Sequence, residues 1–532
     1  GTGNNRFNSE GLYYTKVNSN EGFIHEKGIK ESFEAIVEVN GIPKKVTITD
    51  RDSYWNPYSN VVKLHDIYKD VRTPTQDEKS KEYYYILKQY IEGIGTKKGE
   101  SDDVPGSALG RGDRGILARV AEGIQNVVKE QFSNVSKDKK IYKTVFDVFG
   151  FSRGSASARH FCNEVMLPAG YENEMINDPY DKFPIPSGKK ILTSPAGGLL
   201  GQELKKAGFK SVGDSYHIEI RFLGIFDTVV ADPIIKDNLG YKASLLLSPI
   251  PILSAIPIIS QLFLQEIKTN VSALNIKKVF HITAQNEFRE NFALTPSNVG
   301  YTLSMVGAHS DIGGGYASLD QYKSILDYFD LKDGQDALYN EKVHLRNYYL
   351  SQWISNDESI ELKNTYDHYS ETIVDPYLGG HLSYVYEKEV KRDPKYQPPR
   401  ERVYDPNKKH TIDERKLSDH YLLVDTRKIS NKYALVPLFL MQQKAIDNGV
   451  PFHENPNSAR PPVPYSFEYE ITDKLLNDYL NEMKEVVKTE SSGTYKLPPG
   501  MYGELCNKYV HYSANFNGLS SLGLKGGEHS MI

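Results

Sequence analysis

The sequence predicts an α/β fold organised around a mainly parallel sheet, and three observations carry that prediction. Strand and helix signals alternate through roughly the first 320 residues, as strand–crossover–strand units require. An apolar run over residues 141–149 leads through Gly150-Phe151-Ser152-Arg153 into the small-residue stretch "GSASARHFCNEVM". That order reads as a buried strand feeding a helix that can approach the sheet closely. A third segment, "VGYTLSMVGAHSDIGGGY", reads as a short strand running into a glycine-rich loop.

In chain order, residues 35–48 ("AIVEVNGIPKKVTI") form two β-rich runs around Asn40-Gly41, the preferred pair for a tight hairpin turn. "YHIEIRFLGIFDTVV" alternates, with Ile218, Ile220 and Phe222 on one face, and reads as a strand. Residues 243–265 ("ASLLLSPIPILSAIPIISQLFLQ") carry no charge and are long enough to span a bilayer. Pro249, Pro251 and Pro257 each remove a helix donor, so broken helical pieces are expected there. Such pieces would cap a pocket, touch a lipid surface or fold inward as core.

Beyond residue 330 tyrosine and charge become frequent, and residues 387–416 are mixed in charge and proline-bearing, the composition of a solvated excursion. Two helices follow. One covers about 433–448 and stops at Gly449 with Pro451 just after; the other starts after Thr472 and runs to about Lys488. Its stripe is Leu475, Leu476, Tyr479, Leu480, Met483 and Val487. The expected organisation is therefore a core over residues 1–330, with insertions at 35–48 and 231–270. A mostly helical accessory region over 331–532 follows, its C-terminal part packing back on the core.

A chain of 532 residues is long enough for a large buried core. The net charge of -5 leaves no global basic field, which argues against nucleic acid as a partner. Cys162 and Cys506 are the two cysteines, too few for a disulfide framework and in keeping with a reducing compartment. No secretory signal opens the sequence, and it begins at Gly1 without an initiator methionine, so a native N-terminus further upstream is expected. There is no HExxH, no CxxC and no acidic cluster with ligand spacing, so neither metal nor cofactor is expected.

Gly150-Phe151-Ser152-Arg153-Gly154 matches G-x-S-x-G. At a strand-to-helix bend this is the nucleophile elbow of α/β-hydrolases, in which flanking glycines relieve the crowding around a strained serine. Its plain alternative is a structural turn serine. A serine nucleophile needs a histidine base and an orienting carboxylate, in the chain order Ser, acid, His. Asp227 closes the predicted strand "IRFLGIFD", where it is either that acid or a turn cap; His309 lies in the glycine-rich loop. Asp311, two residues from His309, is the rival acid, read in preference as a loop-bonding residue. His511, in "YVHYSANFN", is the rival base, read in preference as a packed element near the site.

"GFSRGSASAR", "FLGIFDTV" and "GAHSDIGGGY" together resemble the first family of bacterial type VI secretion lipase effectors. "SNVVKLHDI", "YIEGIGT", "FHITAQNEFRENF" and "LMQQKAIDNGV" extend the likeness over nearly the whole chain. The opening "GTGNN" resembles that family's first-strand motif, although the strand and aspartate that normally precede it are not present. The resemblance implies an α/β-hydrolase core with Ser152 as nucleophile, Asp227 as acid and His309 as base. It also implies an oxyanion hole from the backbone N–H of Arg153 and a donor at Thr2 or Gly3. The implied substrate is membrane glycerophospholipid, cleaved as by a phospholipase A. The implied partners are a secretion spike protein and a cognate immunity protein. The implied itinerary runs from the bacterial cytoplasm to the periplasm or membrane of a target cell. Two rivals stand beside this reading: a serine hydrolase of another ester or a peptide, and an inactive membrane- or spike-binding module.

Overall fold

The computed structural model describes residues 57–102, 113–176, 184–213, 215–230, 266–287, 292–316, 318–330, 420–453, 470–490 and 497–511, together with Arg6, Arg289 and strands at 32–39, 42–49, 360–364, 369–374, 381–386 and 411–412. The expectations placed on Thr2, Gly3 and the apolar run 243–265 lie outside the described residues, as does the charged stretch 387–416 apart from 411–412.

Four strands make the central sheet: β1 (Thr144–Phe151), β2 (Ile218–Phe226), β3 (Ile276–Ala284) and β4 (Tyr301–Met305). They lie side by side in chain order and every pairing is parallel. Parallel neighbours need long crossovers, and helices supply the one between β1 and β2. Between β1 and β2 run α3 (Arg153–Val165) and α4 (Gly198–Lys206), which pack with α2 (Ile116–Asn126) on one face of the sheet. Val120, Ile124, Cys162, Val165, Leu200 and Leu204 meet Leu223, Ile225 and Val279 of the strands there.

The opposite face is covered by α1 (Asn60–Ile67), α6 (Leu435–Asp447), α7 (Lys474–Thr489) and α8 (Pro499–Tyr509). Phe222, Phe226, Ile282 and Leu303 pack there against Leu438, Met441, Tyr479, Met483 and Leu505. Three of the four helices on this face therefore come from beyond residue 430. The predicted stripe of α7 is the one buried, except that Leu475 is half-buried, and Asp473 caps its N-terminus by accepting from the Leu476 N–H at 3.2 Å. Gly449, after α6, takes the left-handed φ of 82° that its terminating role requires.

One expectation is corrected. The face of β2 is not uniform: Ile220 packs with the α2–α4 layer, whereas Phe222 packs with the C-terminal helices. The register against β1 shifts between these two residues, and this irregularity breaks the period of two. Arg221, at the break, reaches the buried Asp147 with Nε–Oδ1 at 2.9 Å. Among the described residues, the accessory region holds strands before residue 430 and helices after it. Leu319–Asp330 and Ile360–Asn364 both pair antiparallel with His420–Ile429, and Tyr369–Val374 pairs with His381–Tyr386. Tyr- and Ile-bearing runs such as "HYLLVDTRKI" carry the β-branched and aromatic composition of strands. The strands Ser32–Val39 and Ile42–Thr49 pair antiparallel with Val39 opposite Ile42.

Candidate active site

Parallel strands in register end together, and their C-terminal ends bring distant residues side by side. Phe151 pairs with Phe226, Phe226 with Ile282, and Ala284 with Met305. The residues that follow are therefore neighbours: Ser152 after β1, Asp227 after β2, Glu287 three residues beyond β3, and His309 four residues beyond β4. All four are buried.

Ser152 sits at φ 59° and ψ -128°, a conformation that side chains rarely adopt. The surroundings enforce it. The Ser152 N–H donates to the Phe226 carbonyl at 3.0 Å, and the Ser155 hydroxyl donates to the same oxygen at 2.9 Å. A Cβ on Gly150 would stand 2.4 Å from the Gly154 carbonyl oxygen, so the elbow closes only over a glycine. Asp227 is strained in the same sense, with φ 37°.

Asp227 is held at both carboxylate oxygens. Oδ1 accepts from the Ala284 N–H at 2.9 Å, and Oδ2 lies 2.6 Å from Nδ1 of His309. The imidazole packs between rings, 4.6 Å from Phe151 and edge-on to Phe292 at 5.1 Å. Burial in this apolar cage pulls the His309 pKa below its ordinary value, against the opposing influence of Asp227. The ring is thus neutral at pH 7. With Nδ1 facing the carboxylate, Nε2 is the atom able to accept a proton.

His309 opens the short helix α5 (His309–Gly313), and an array of hydrogen bonds fixes that loop. Its backbone N–H donates to Glu287 at 3.2 Å, Gly307 donates to Asn286 Oδ1 at 2.8 Å, and Asn60 donates to the Ile312 carbonyl at 2.9 Å. The Tyr433 hydroxyl donates to the Val306 carbonyl. Asp311 and His511, the rival acid and base, form a separate buried pair. Their Oδ1 and Nδ1 are 2.7 Å apart, and Asp311 Oδ2 also accepts from the N–H groups of Ala308 and His511.

Sequence reasoning passed over Glu287 and Arg289. Arg289 grips Glu287 through Nε and Nη2 at 2.8 and 2.9 Å and stacks over the Phe292 ring. The Glu-x-Arg spacing in "NEFRE" is the available signal. Arg153, the first residue of α3, buries its guanidinium as well. A cavity of about 1240 Å³ runs along the outer edge of β1, lined by Phe149, Phe151 and Phe161. Gly150, Phe151 and Gly154 of the elbow line it, whereas Ser152, Asp227 and His309 do not. Among the described residues no three His, Cys, Asp or Glu side chains gather as metal ligands would, and no helix is long and apolar enough to cross a membrane.

Residues 46–329 match the family described as T6SS phospholipase effector Tle1-like, catalytic domain, a match over more than half of the chain. The chain belongs to the Tle1-like phospholipase effectors of type VI secretion. It is thereby a lipolytic ester hydrolase by family. The Tle1-like fold is also recovered in three dimensions. The solved Tle1 effector bound to the VgrG spike of the type VI secretion system aligns at a TM-score of 0.50, with 22% identity, over 87% of this chain and 74% of that one. An uncharacterized protein from Pseudomonas aeruginosa aligns at 0.23, with 17% identity, over 49% of this chain and 39% of that one, too weakly to inform the fold. No curated protein matches the chain in sequence.

Proposed function

We propose that this Tle1-like effector is a serine esterase that hydrolyses acyl esters of membrane glycerophospholipids in the manner of a phospholipase A. The observation that carries the proposal is the 2.6 Å Asp227–His309 pair beside a strained serine at the neighbouring strand end. His309 Nε2 takes the proton from Ser152 Oγ as the oxygen attacks the ester carbonyl. The tetrahedral oxyanion is received by the backbone N–H of Arg153, the residue after the nucleophile. Imidazolium, balanced by Asp227, returns the proton to the departing lysophospholipid oxygen, leaving an acyl-serine. Water, deprotonated by the same nitrogen, then frees the fatty acid and restores Ser152.

The family's delivery system gives the biological frame. The effector is made in the bacterial cytoplasm, loaded on a spike protein as the solved Tle1 is on VgrG, and released against the membranes of a rival cell. Kin carry an immunity protein. The test is Ser152→Ala in the full chain, assayed on phospholipid vesicles and on a soluble short-chain ester. Both activities should disappear with the melting temperature unchanged. Substantial residual hydrolysis of either substrate would remove Ser152 from the role.

A further inference from the structure

"SRGSASAR" contains two buried arginines on one helix, and they are treated differently. Arg159 is built into the fold: its Nη1 and Nη2 donate to the carbonyls of Thr295 and Pro296, each at 3.0 Å, and its Nε reaches the Thr269 carbonyl. Arg153 is 7% exposed, and its Nη1 has no hydrogen-bond partner among the described residues. A buried guanidinium without a partner is costly, and native proteins avoid one unless something else satisfies it.

The charge around Arg153 sharpens the point. The neighbouring ionic group that acts on it is another cation, Arg289, which is itself held by Glu287 and by the face of Phe292. Phe292 in turn lies against His309. Burial, and after it the Arg289 cation, push the Arg153 pKa down to about 9, so it still carries its charge near neutrality. A positive group is thus buried on the residue that follows the nucleophile, without an anion from the described residues.

We propose that the Arg153 side chain is the receptor for the phosphodiester of the lipid substrate, which makes it a specificity-determining residue. This rests on the phospholipid reading above. In a glycerophospholipid only the glycerol unit separates the scissile carbonyl from the phosphate, so a cation one residue from Ser152 is placed to meet it. A guanidinium presents paired donors to phosphate oxygens, and the contact strengthens in a site closed to water. The residue would act twice: its N–H on the oxyanion and its side chain on the headgroup.

The experiment compares Arg153→Met with the wild-type full chain on two soluble substrates of equal acyl length, dihexanoyl phosphatidylcholine and dihexanoyl glycerol. The ratio of kcat/KM for the phospholipid to that for the neutral ester should fall by roughly ten- to a hundredfold in the variant, the range for a hydrogen bond to a charged group. Arg153→Lys, which keeps charge without the paired geometry, should fall between, and it is the variant to read if Arg153→Met does not fold. In parallel, glycerophosphocholine and hexanoate are tested as competitors of neutral-ester hydrolysis. Inhibition by the phosphodiester that the substitution relieves supports the assignment. An unchanged ratio with unchanged inhibition overturns it, as does relief confined to hexanoate, which would make the group a product-carboxylate site. If the wild type cleaves only the neutral ester, the phospholipid reading fails by itself. The competition arm then decides Arg153 alone: relief of phosphodiester inhibition supports the site, and no such inhibition, or none relieved, overturns it.

Discussion

Asp227→Asn is the sharpest perturbation of the proposed triad, because the structure fixes which way the amide must turn. The Ala284 N–H points at one oxygen of Asp227 from 2.9 Å and needs an acceptor. An asparagine would give that N–H its carbonyl oxygen, which leaves its NH2 facing His309 Nδ1 across the present 2.6 Å contact. Nδ1 must then become the acceptor and carry the lone pair. The ring proton moves to Nε2, the nitrogen that has to receive the serine proton. Turnover should drop about 10⁴-fold, as for a triad in the wrong tautomer. That loss is about 5.4 kcal/mol of transition-state stabilisation at 1.36 kcal/mol per tenfold. KM should barely move, and so should the melting temperature, because the Ala284 bond survives. Steady-state kinetics on a soluble ester, with a thermal melt of the same sample, read both. A loss under tenfold refutes the argument. So does an Asp311→Asn variant that shows the larger loss while Asp227→Asn remains active.

Two further outcomes test the surroundings of the base. His511→Ala should lower stability by about 1–3 kcal/mol, the cost of unmaking a buried polar contact, and leave measurable turnover, whereas His309→Ala abolishes it. A dead, fully stable His511→Ala beside an active His309→Ala would reverse the assignment. The acid limb of the kcat/KM profile should have its midpoint below 6.5, since the neutral imidazole is the active form and burial lowers its pKa. In the same window the unfolded chain binds the proton more readily, so stability also declines as pH falls from 6.5 through the folded value. A limb centred above 6.5 would show that a different group titrates.

Much of this site could be read from residue order. The Ser152 elbow needed only a strand, two glycines and small residues, because backbone crowding at that bend dictates them. The long stripe of α7 was equally plain, since a 3.6-residue period over four turns has few alternatives. The register break at Arg221 left no mark, because a bulge changes pairing without changing residue types. Nor did the strain at Asp227, since aspartate is common at strand ends whatever its φ. Glu287 and Arg289 stayed hidden for a different reason. A charged pair two residues apart on a loop is usually solvated, whereas the Glu287 side chain here is fully buried.

The two Asp–His pairs show why the contact itself does not identify the catalytic one. His309 and Asp311 share the five-residue helix α5, and each pairs with the opposite residue type from elsewhere, at 2.6 and 2.7 Å. Their hydrogen bonds differ in kind. Asp311 spends its second oxygen on the Ala308 and His511 N–H groups, which closes the loop that carries His309 and ties it to the chain after α8. Asp227 spends its second oxygen on β3, which anchors it to the sheet. The first pair therefore holds the loop, whereas the second holds an imidazole against a rigid strand end. The register favours Asp227 as the acid of the proposed triad: Phe226 pairs with Phe151, so the residues that follow them, Asp227 and Ser152, leave the sheet side by side. On the proposed reading a base oriented by Asp227 acts on that serine, whereas Asp311 holds the loop.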